Sequence, residues 1–373
     1  MKFIPIAKPI FGKDELRYVN QCIRTGWISS QGKLVKRFEQ KFAQYCKVKY
    51  GIATSNGTAA LHLALLGLGI GPGDEVIVPD LTFIAPVNSV IYTGARPVLV
   101  DIDRNTFNID VSQIEKNITK KTKAIIVVHL YGRPCLMDEI LNIAKKYNLF
   151  IIEDCAESHG AEYKGRKVGS FGHISCFSFF ANKIITTGEG GMCLTNNKRL
   201  AKKINILLNH GMSPKKRYWH NIVGFNYRLT NIQAGIGLAQ LRKIDKFLKE
   251  REKIGKLYNN YLKDISGIEI PSFKKWEKPV YWLYSILIDK KYNRDKLIEK
   301  LKQKNIETRP FFYPVHKMPF YKKYIKKGQK FPIAEEISKR GISLPTFVNL
   351  TSSQIQYICN SIRKLLKKQN EGK

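Results

Sequence analysis

The chain has no long apolar run. None of its apolar stretches reaches the roughly 18–20 residues that a helix needs to cross a bilayer. The N-terminal segment MKFIPIAKPIFG has a short apolar stretch that prolines interrupt, which does not fit a secretory signal. We therefore expect no transmembrane segment and a cytoplasmic location.

Cysteine is too irregular to form a covalent framework. The seven cysteines are an odd number, lie far apart and include no C-x-x-C pair. This distribution argues against a disulfide framework and against a zinc ribbon. We expect most of these cysteines to be small, buried, apolar residues.

Acidic residues are scarce. The chain has 30 Asp and Glu against 64 Lys and Arg, so its formal net charge is +34. Such a charge fits a negatively charged partner, namely nucleic acid, a membrane surface or a phosphorylated substrate. It also fits a lysine-rich composition in which lysine fills most solvated positions. Because the lysines are spread along the chain and no nucleic-acid-binding motif accompanies them, we expect no specific nucleic acid partner.

The order of apolar patterns predicts the fold class. A chain of 373 residues is too long for one ordinary core and suggests two domains, or one large domain with an appendage. Strand-like and helix-like patterns alternate, and AIIVVHLYG is almost wholly apolar, as a strand covered on both faces is. We predict an α/β fold with a mostly parallel sheet and right-handed crossovers. A long helical stretch then leads to a C-terminal domain of strands and helices.

A polar turn precedes an apolar helix in ATSNGTAALHLAL. Ser55, Asn56, Gly57 and Thr58 stand between the predicted strand and helix. Backbone N–H groups at such a helix start bind phosphate, helped by the positive end of the helix dipole. The same residues also form ordinary caps of buried helices, and the motif alone does not separate the two uses.

Carboxylates cluster at the end of a predicted strand in FIIEDCAESHG. Asp154 ends the apolar run, with Glu153 before it and Glu157 after it. In α/β proteins ligands bind at this edge of the sheet. The cluster could hold a protonated ring nitrogen or, with His159, a metal ion, although further metal ligands cannot be placed. A helix-capping carboxylate is the alternative.

Lys183 is the one lysine in the segment SFFANKIITTGEGGM, and it follows two phenylalanines. A lysine among apolar residues is costly to bury charged, so its pKa falls, and a neutral amine attacks carbonyl groups. A lysine that reaches solvent is the alternative. Together, the helix start, the strand-end aspartate, Lys183 and nearby Ser178 match the needs of pyridoxal phosphate (PLP). This cofactor requires a Schiff-base lysine, an acidic partner for its ring nitrogen and a site for its phosphate.

Seven motifs in order resemble the DegT/DnrJ/EryC1/StrS sugar aminotransferases, which are fold-type-I PLP enzymes. The resemblance covers nearly the whole chain. It rests on GWISSQGKLVKRFE, SNGTAALHLAL, DLTFIAPVNSV, HLYGRPCLMDEI, IEDCAESHGAEYKG, CFSFFANKIITTGEGGM and GFNYRLTNIQAGIGLAQL. It implies a large PLP-binding domain over residues 1–245, of which residues 1–25 could pack on the other domain, and a smaller α+β domain over residues 246–373.

The resemblance implies a role for each matching residue. Lys183 would bind the cofactor covalently, Asp154 would pair with the ring nitrogen, and Glu157 would lie near the ring hydroxyl. The remaining cofactor contacts would be the stacking ring of Phe83 and the phosphate ligands Gly57, Thr58, Ser178 and Asn226, the last reaching the neighbouring subunit. A homodimer with shared active sites follows. Relatives with histidine in place of the lysine are dehydratases, so Lys183 implies amino transfer, and no metal is expected.

The same resemblance suggests the substrate class. It implies transfer of an amino group from L-glutamate, which leaves as 2-oxoglutarate, to a nucleotide-linked 4-keto-6-deoxy sugar. A GDP-linked sugar is favoured over UDP- and dTDP-linked ones. The expected contacts with the substrate are Trp27, Ser29, Lys33, Arg228, Arg309, Phe311, Tyr313 and His316. Residues 307–321 equally fit an apolar plug between two domains.

Two other classes stay open at this point. A regulatory or binding protein can share the fold, because fold does not fix function. The charge of +34 could instead serve nucleic acid binding, which salt would weaken. The complete set of Lys183, Asp154 and Ser178 makes both less favoured than an enzyme.

Overall fold

The computed structural model describes residues 2–371, without the side chains of residues 370 and 371. The last two residues of the predicted small domain, 372 and 373, therefore lie outside the described residues. The strands are β1 Tyr50–Thr54, β2 Glu75–Pro79, β3 Arg96–Val100, β4 Thr122–Val128, β5 Phe150–Asp154, β6 Glu162–Tyr163, β7 Arg166–Lys167, β8 Ile174–Ser178, β9 Gly191–Thr195, β10 Ile268–Glu269, β11 Glu277–Lys278, β12 Tyr284–Ile288, β13 Arg309–Pro310 and β14 Gly341–Leu344.

The helices lie between these strands and at both ends of the described chain. They are α1 Lys13–Thr25, α2 Lys33–Tyr45, α3 Gly57–Leu68, α4 Ala85–Tyr92, α5 Val111–Ile114, α6 Met137–Lys146, α7 Lys198–Leu207, α8 Asn231–Leu241, α9 Ile244–Leu262, α10 Arg294–Gln303, α11 Pro332–Arg340 and α12 Ser352–Glu371. Short 3₁₀ turns occur at Glu115–Asn117, Leu130–Gly132, Val315–Lys317 and Pro319–Tyr324. The long helical stretch predicted after residue 228 is thus two helices, α8 and α9.

A seven-stranded sheet forms the centre of the larger unit. Its order is β1-β9-β8-β5-β4-β2-β3, and β9 runs antiparallel to both of its neighbours while the other pairs are parallel. Helices cover both faces, so β5 and β8 are buried almost throughout. The predicted α/β class with a mostly parallel sheet is confirmed.

Periodicity explains how the helices pack on this sheet. In α2, Leu34, Phe38 and Phe42 recur at four-residue spacing and are all buried. Helix α3 is apolar on nearly every face, and residues 59–65 are buried without exception. An all-round apolar helix requires cover on every side, which places α3 inside the large unit with its N-terminus at the edge of the sheet.

A second core lies under the antiparallel sheet β10-β12-β14-β13. Helix α9 joins the two cores, because Phe247 packs in the first and Tyr258 in the second. The N-terminal segment also belongs here, since Ile4 pairs with Ile306 and the Ile6 N–H donates to Glu307. The predicted boundary at residues 245 and 246 falls within α9, and β11 later returns to pair with β6 of the larger unit.

Candidate active site

The carboxyl ends of the central strands bring the predicted site residues to one edge. Asp154 ends β5 and is paired with Cys176 of β8, two residues before Ser178. Ser178 is paired with Gly191 of β9, which is paired in turn with Thr54 at the end of β1. The start of α3 follows directly after β1. The strand register therefore explains why residues far apart in sequence meet at this edge.

Lys183 lies in the turn segment between β8 and β9. Its N–H donates to the Phe180 carbonyl at 2.9 Å, and its side chain is partly buried. The Nζ atom is 4.1 Å from the ring centroid of Trp282. Burial lowers the pKa of Lys183, while the carboxylates of Glu157 and Asp154 act in the opposite direction. An amine with a lowered pKa can act as a nucleophile and as a base near neutral pH.

Asp154 and Glu157 supply the negative charge that faces this lysine. Burial raises the pKa of Asp154, and the Ala156 N–H, at 2.9 Å from Oδ1, works against that change. Burial raises the pKa of Glu157 to about 7, while Lys183 and the Tyr131 N–H, at 2.8 Å from Oε2, favour the charged form. A buried carboxylate such as Asp154 is stabilised by a positively charged or protonated partner, which a ring N–H provides.

The start of α3 offers backbone N–H donors close to Ser178. The Asn56 side chain accepts a hydrogen bond from the Ala59 N–H at 2.8 Å, which leaves the N–H groups of Gly57 and Thr58 without an intrahelical acceptor. A Cβ atom at Gly57 would lie 2.8 Å from the Ser178 Cβ atom, so helix and strand touch here. A cleft of about 430 Å³ opens beside Thr58, and its lining includes Asn56 and Tyr227 but not Gly57, Ser178 or Lys183. The N–H donors at the helix start, rather than this cleft, are what fits a phosphate group.

Aromatic side chains stand beside the site. Phe83, on the turn after β2, is 54% exposed, and its ring centroid lies 5.8 Å from that of Phe312. Phe312 stacks on Tyr131 at 5.5 Å, and its N–H donates to the Tyr131 hydroxyl at 3.1 Å. A largely exposed aromatic face next to a catalytic edge is available for stacking on a planar ring.

Asn226 and Arg228 form one hydrogen-bonded group. Arg228 donates from Nε and Nη2 to Asn226 Oδ1 at 3.0 and 2.8 Å, and from Nη1 to Asn209 at 2.8 Å. The segment runs beside the end of β1, since the Ser55 N–H donates to the Tyr227 carbonyl. Asn226 itself is exposed. Its contact with a neighbouring subunit stays a prediction.

The predicted substrate residues of the N-terminal region lie on an exposed turn. Trp27, Ser29 and Lys33 are all exposed, between α1 and the first residue of α2. Asn231 holds this turn through the carbonyls of Trp27 and Ser29, at 2.7 and 2.9 Å. The turn has a fixed backbone and free side chains, so a substrate contact stays a prediction.

The residues predicted between 309 and 316 divide into accessible and inaccessible ones. Arg309 and Tyr313 are exposed, and the positive charge of Arg309 contributes to the lowered pKa of Lys183. Phe311 is 1% exposed and packs in the core at 4.7 Å from Tyr131, so its ring has no surface for a ligand. Arg309 and Tyr313 stay candidates for substrate binding.

His316 forms a link between the two units. Its Nδ1 atom lies 2.6 Å from Oδ2 of buried Asp80, and its Nε2 atom lies 3.2 Å from Oε1 of Glu335. Burial opposes the imidazolium charge, but the hydrogen bonds and charges of these two carboxylates outweigh it and raise the pKa of His316. Both ring nitrogens are therefore occupied by protein groups, which favours a structural role over a substrate contact.

A metal site is not favoured at the carboxylate cluster. The side chains of His129, Glu153 and Cys155 come within 4.8 Å of one another and are buried. Glu153 already accepts hydrogen bonds, each of 2.7 Å, from the N–H groups of Gly169, Phe171 and Gly172. His159 packs against phenylalanine rings, and burial lowers its pKa to about 3. Glu153 is thus held by backbone hydrogen bonds and His159 by aromatic contacts, which favours a structural role for both.

Sequence patterns did not indicate two further residues at the site. The Trp282 ring contacts Lys183, and the backbone N–H of Tyr131 donates to Glu157. The motif YWLYSILID predicts a strand, and β12 begins two residues after Trp282. Tyr131 has a positive φ of 52°, which a sequence pattern does not reveal for a tyrosine. The sequence contains no local signal that would place Trp282 next to Lys183.

Among residues 2–371, no helix is both long and apolar enough to cross a membrane.

Comparison with known proteins finds relatives over nearly the whole chain. A model of the DegT/DnrJ/EryC1/StrS aminotransferase family matches residues 9–363. GDP-perosamine synthase of Escherichia coli O157:H7 is 50% identical over 364 residues, covering 98% of this chain and 99% of that protein. GDP-perosamine synthase of Caulobacter vibrioides is 48% identical over 366 residues, with coverage of 97% and 98%. The crystal structure of a DegT DnrJ EryC1 StrS aminotransferase from Brucella abortus superimposes with a TM-score of 0.89 at 33% identity, covering 94% and 95% of the two chains.

Proposed function

The chain belongs to the DegT/DnrJ/EryC1/StrS aminotransferase family, and we propose that it transfers an amino group from L-glutamate to the C4 ketone of GDP-4-keto-6-deoxy-D-mannose. The product would be GDP-perosamine, an amino sugar for surface polysaccharide or O-antigen. The family assignment that the sequence motifs predicted is confirmed, and the chain is a PLP-dependent sugar aminotransferase.

The single observation that carries this proposal is the group around Lys183. Burial lowers the pKa of its amine, and two carboxylates lie close enough to act on that pKa in the other direction. The start of α3 offers free N–H donors beside Ser178. These residues fit the cofactor: Lys183 would bind it, Asp154 would hold the ring nitrogen, and Gly57, Thr58 and Ser178 would hold its phosphate. Phe83 would stack on the ring, and Glu157 would lie near the ring hydroxyl.

Each protein group then has a defined task. When bound, PLP supplies an electron sink for the charge left on carbon after proton loss. Asp154 would keep the ring nitrogen of the bound cofactor protonated, because a buried carboxylate is stabilised by a proton donor. Lys183 Nζ removes the Cα proton of glutamate, a step that wants a base with a pKa near the working pH.

In the second half of the cycle the same lysine moves a proton in the opposite direction. After 2-oxoglutarate leaves and the keto sugar enters, Lys183 Nζ donates a proton to C4 of the sugar. Two substrates thus use one site in turn, which predicts ping-pong kinetics.

The GDP-linked substrate rests on similarity and on the accessible groups. The two named GDP-perosamine synthases cover nearly all of the chain at 48% and 50% identity. Exposed Arg309 and Tyr313, together with Trp27 and Lys33, offer charge and aromatic surface for a nucleoside diphosphate. A UDP- or dTDP-linked keto sugar is the alternative substrate within the same class.

A homodimer with shared sites is the second part of the proposal. The loop before Asn226 exposes large apolar side chains, with Tyr218 75%, Trp219 54% and Val223 88% exposed. Apolar surface of this kind on one loop favours a covering partner. A mixture of Lys183→Ala and Asn226→Asp proteins, refolded together, tests the arrangement. Activity above that of either variant would support Asn226 acting across the interface, and no gain would refute it.

The main experiment measures amino transfer from L-glutamate to a panel of GDP-, UDP- and dTDP-linked 4-keto-6-deoxy sugars, with the products identified by mass. We expect the GDP-linked sugar to react fastest. Lys183→Ala should lose turnover and the absorption of covalently bound cofactor, whereas the control Lys202→Ala, at an exposed position on α7, should keep both. An active Lys183→Ala enzyme would refute the mechanism, and a faster UDP- or dTDP-linked substrate would refute the nucleotide.

A further inference from the structure

Trp282 closes the site from the C-terminal part of the chain. Its ring centroid lies 4.1 Å from Lys183 Nζ, and its Nε1–H donates to the Asn182 carbonyl at 2.8 Å. The side chain is 3% exposed. One indole therefore contacts both the reactive amine and the backbone that carries it.

The position of Trp282 is fixed by buried neighbours. Arg251 of α9 is 3% exposed, and its Nη1 atom donates to the carbonyls of Tyr281, Trp282 and Thr346 at 3.1, 3.0 and 3.0 Å. The indole stacks on Tyr131 with an interplanar angle of 11°. Tyr131 in turn donates its N–H to Glu157. Trp282 is thus held on three sides and cannot leave Lys183 without breaking these contacts.

The face of an indole attracts a cation. Trp has the strongest such face among the aromatic residues, and the attraction grows when water is excluded. Lys183 sits in a site where burial disfavours its positive charge. A fixed ring next to Nζ offsets part of that cost, and it does so only for the protonated amine.

We propose that Trp282 is a positioning residue for the reaction, holding the Lys183 amino group in place and favouring its protonated form. The inference rests on the proposed function, in which Lys183 takes a proton from one carbon and later delivers one to another. The ring stabilises the amine while it carries the proton. Loss of the ring should therefore reduce kcat more than it changes KM for either substrate.

The test uses the full chain without cofactor, so it does not depend on turnover. The pKa of Lys183 is obtained from the pH dependence of its acetylation by acetic anhydride, followed by peptide mass spectrometry. Site-specific replacement of Trp282 by tryptophans with one to four ring fluorines keeps the shape and the N–H but drains the negative face of the ring. We expect the pKa of Lys183 to fall stepwise, by roughly 0.5 to 1.5 units over the series.

Matched controls separate this role from packing. The same fluorinated series at Trp276 should leave the pKa of Lys183 unchanged, because the Trp276 ring packs on Tyr163, with 5.1 Å between the two ring centroids. Trp282→Met should lower it as far as the most fluorinated ring does. A Lys183 pKa that is independent of the fluorine number would overturn the proposal. A stepwise shift in a protein that aminates no nucleotide sugar would keep the stabilisation of the Lys183 charge by the ring, but it would refute the proposed function and with it the role of Trp282 in that reaction.

Discussion

The contact between Gly57 and Ser178 should make the proposed phosphate site sensitive to a single methyl group. A Cβ atom at residue 57 would lie 2.8 Å from Ser178 Cβ and 3.3 Å from Ser178 Cα. Ser178 ends the buried strand β8 and cannot move aside, so the start of α3 must shift instead. Overpacking of this kind costs about 1–3 kcal/mol. Because the shift displaces the N–H donors of residues 57 and 58, we expect Gly57→Ala to weaken cofactor binding by about 10- to 100-fold.

The matched control is Gly67→Ala on the same helix. A Cβ atom there would lie 2.8 Å from Leu200 Cδ1 and 3.0 Å from Ile204 Cγ1, which are side-chain atoms of α7. Both variants gain the same helix propensity, so that term cancels in the comparison. Urea unfolding of the cofactor-free proteins gives the stability loss, and spectroscopic titration with PLP gives the affinity. Folded Gly57→Ala protein that binds PLP as tightly as Gly67→Ala would refute the phosphate site.

Three further predictions concern charge. In cofactor-free protein, burial raises the pKa of Glu157 from 4.5 to about 7, so the stability contributed by its neutral form is complete below about pH 4.5 and is lost as pH rises through about 7. Glu157→Gln should lack this pH-dependent loss in urea unfolding, and an equal loss in both proteins would contradict the argument. The pKa of His316 is also raised in the folded state, because Asp80 and Glu335 stabilise its imidazolium form. In urea unfolding, the stability advantage of the wild type over His316→Gln should therefore be complete below about pH 6.5 and should be lost as pH rises through the folded-state pKa. A constant difference from about pH 6 to 9 would contradict this. In Arg133→Ala, buried Glu277 loses the guanidinium whose Nη2 atom lies 2.7 Å away, which should lower the free energy of unfolding by about 3–5 kcal/mol. The control Lys146→Ala breaks an exposed ion pair with Glu115 and should lower it by less than about 1 kcal/mol. Equal losses in the two variants would contradict the argument.

Local patterns predicted which residues would meet at the edge formed by the strand ends. Asp154 ends an apolar strand, Gly57 begins an apolar helix, and Lys183 stands alone among apolar residues. Each of these is visible within a dozen residues. Parallel strands in order then bring their carboxyl ends to one edge, so no distant contact had to be known.

The parts that were not predicted depend on contacts between distant segments. Trp282 reaches a carbonyl one hundred residues earlier, at Asn182, and His316 binds a carboxylate 236 residues away, at Asp80. Residue type suggested that His316 and Phe311 would face a nucleotide sugar. The structure instead uses the polarity of His316 to join the two units and buries Phe311 in the core. Whether an imidazole or a phenyl ring faces a ligand is decided by its neighbours in space, which periodicity does not reveal.

The scarcity of acidic residues makes the places where they are buried informative. The chain has 30 of them against 64 basic residues, yet five lie at or just after the ends of β2, β3 and β5: Asp80, Asp101, Glu153, Asp154 and Glu157. Asp154 and Glu157 act on Lys183, whereas Asp80, Asp101 and Glu153 accept hydrogen bonds from backbone N–H groups, and all of the five except Asp101 are buried. Lysine on the surface keeps its charge in water at little cost, while a carboxylate inside requires donors. Carboxylates are also buried away from this edge, at Glu15, Glu39 and Glu277, so burial of a carboxylate does not by itself mark the site. Asp154 and Glu157 differ from these three because their charges act on the Lys183 amine.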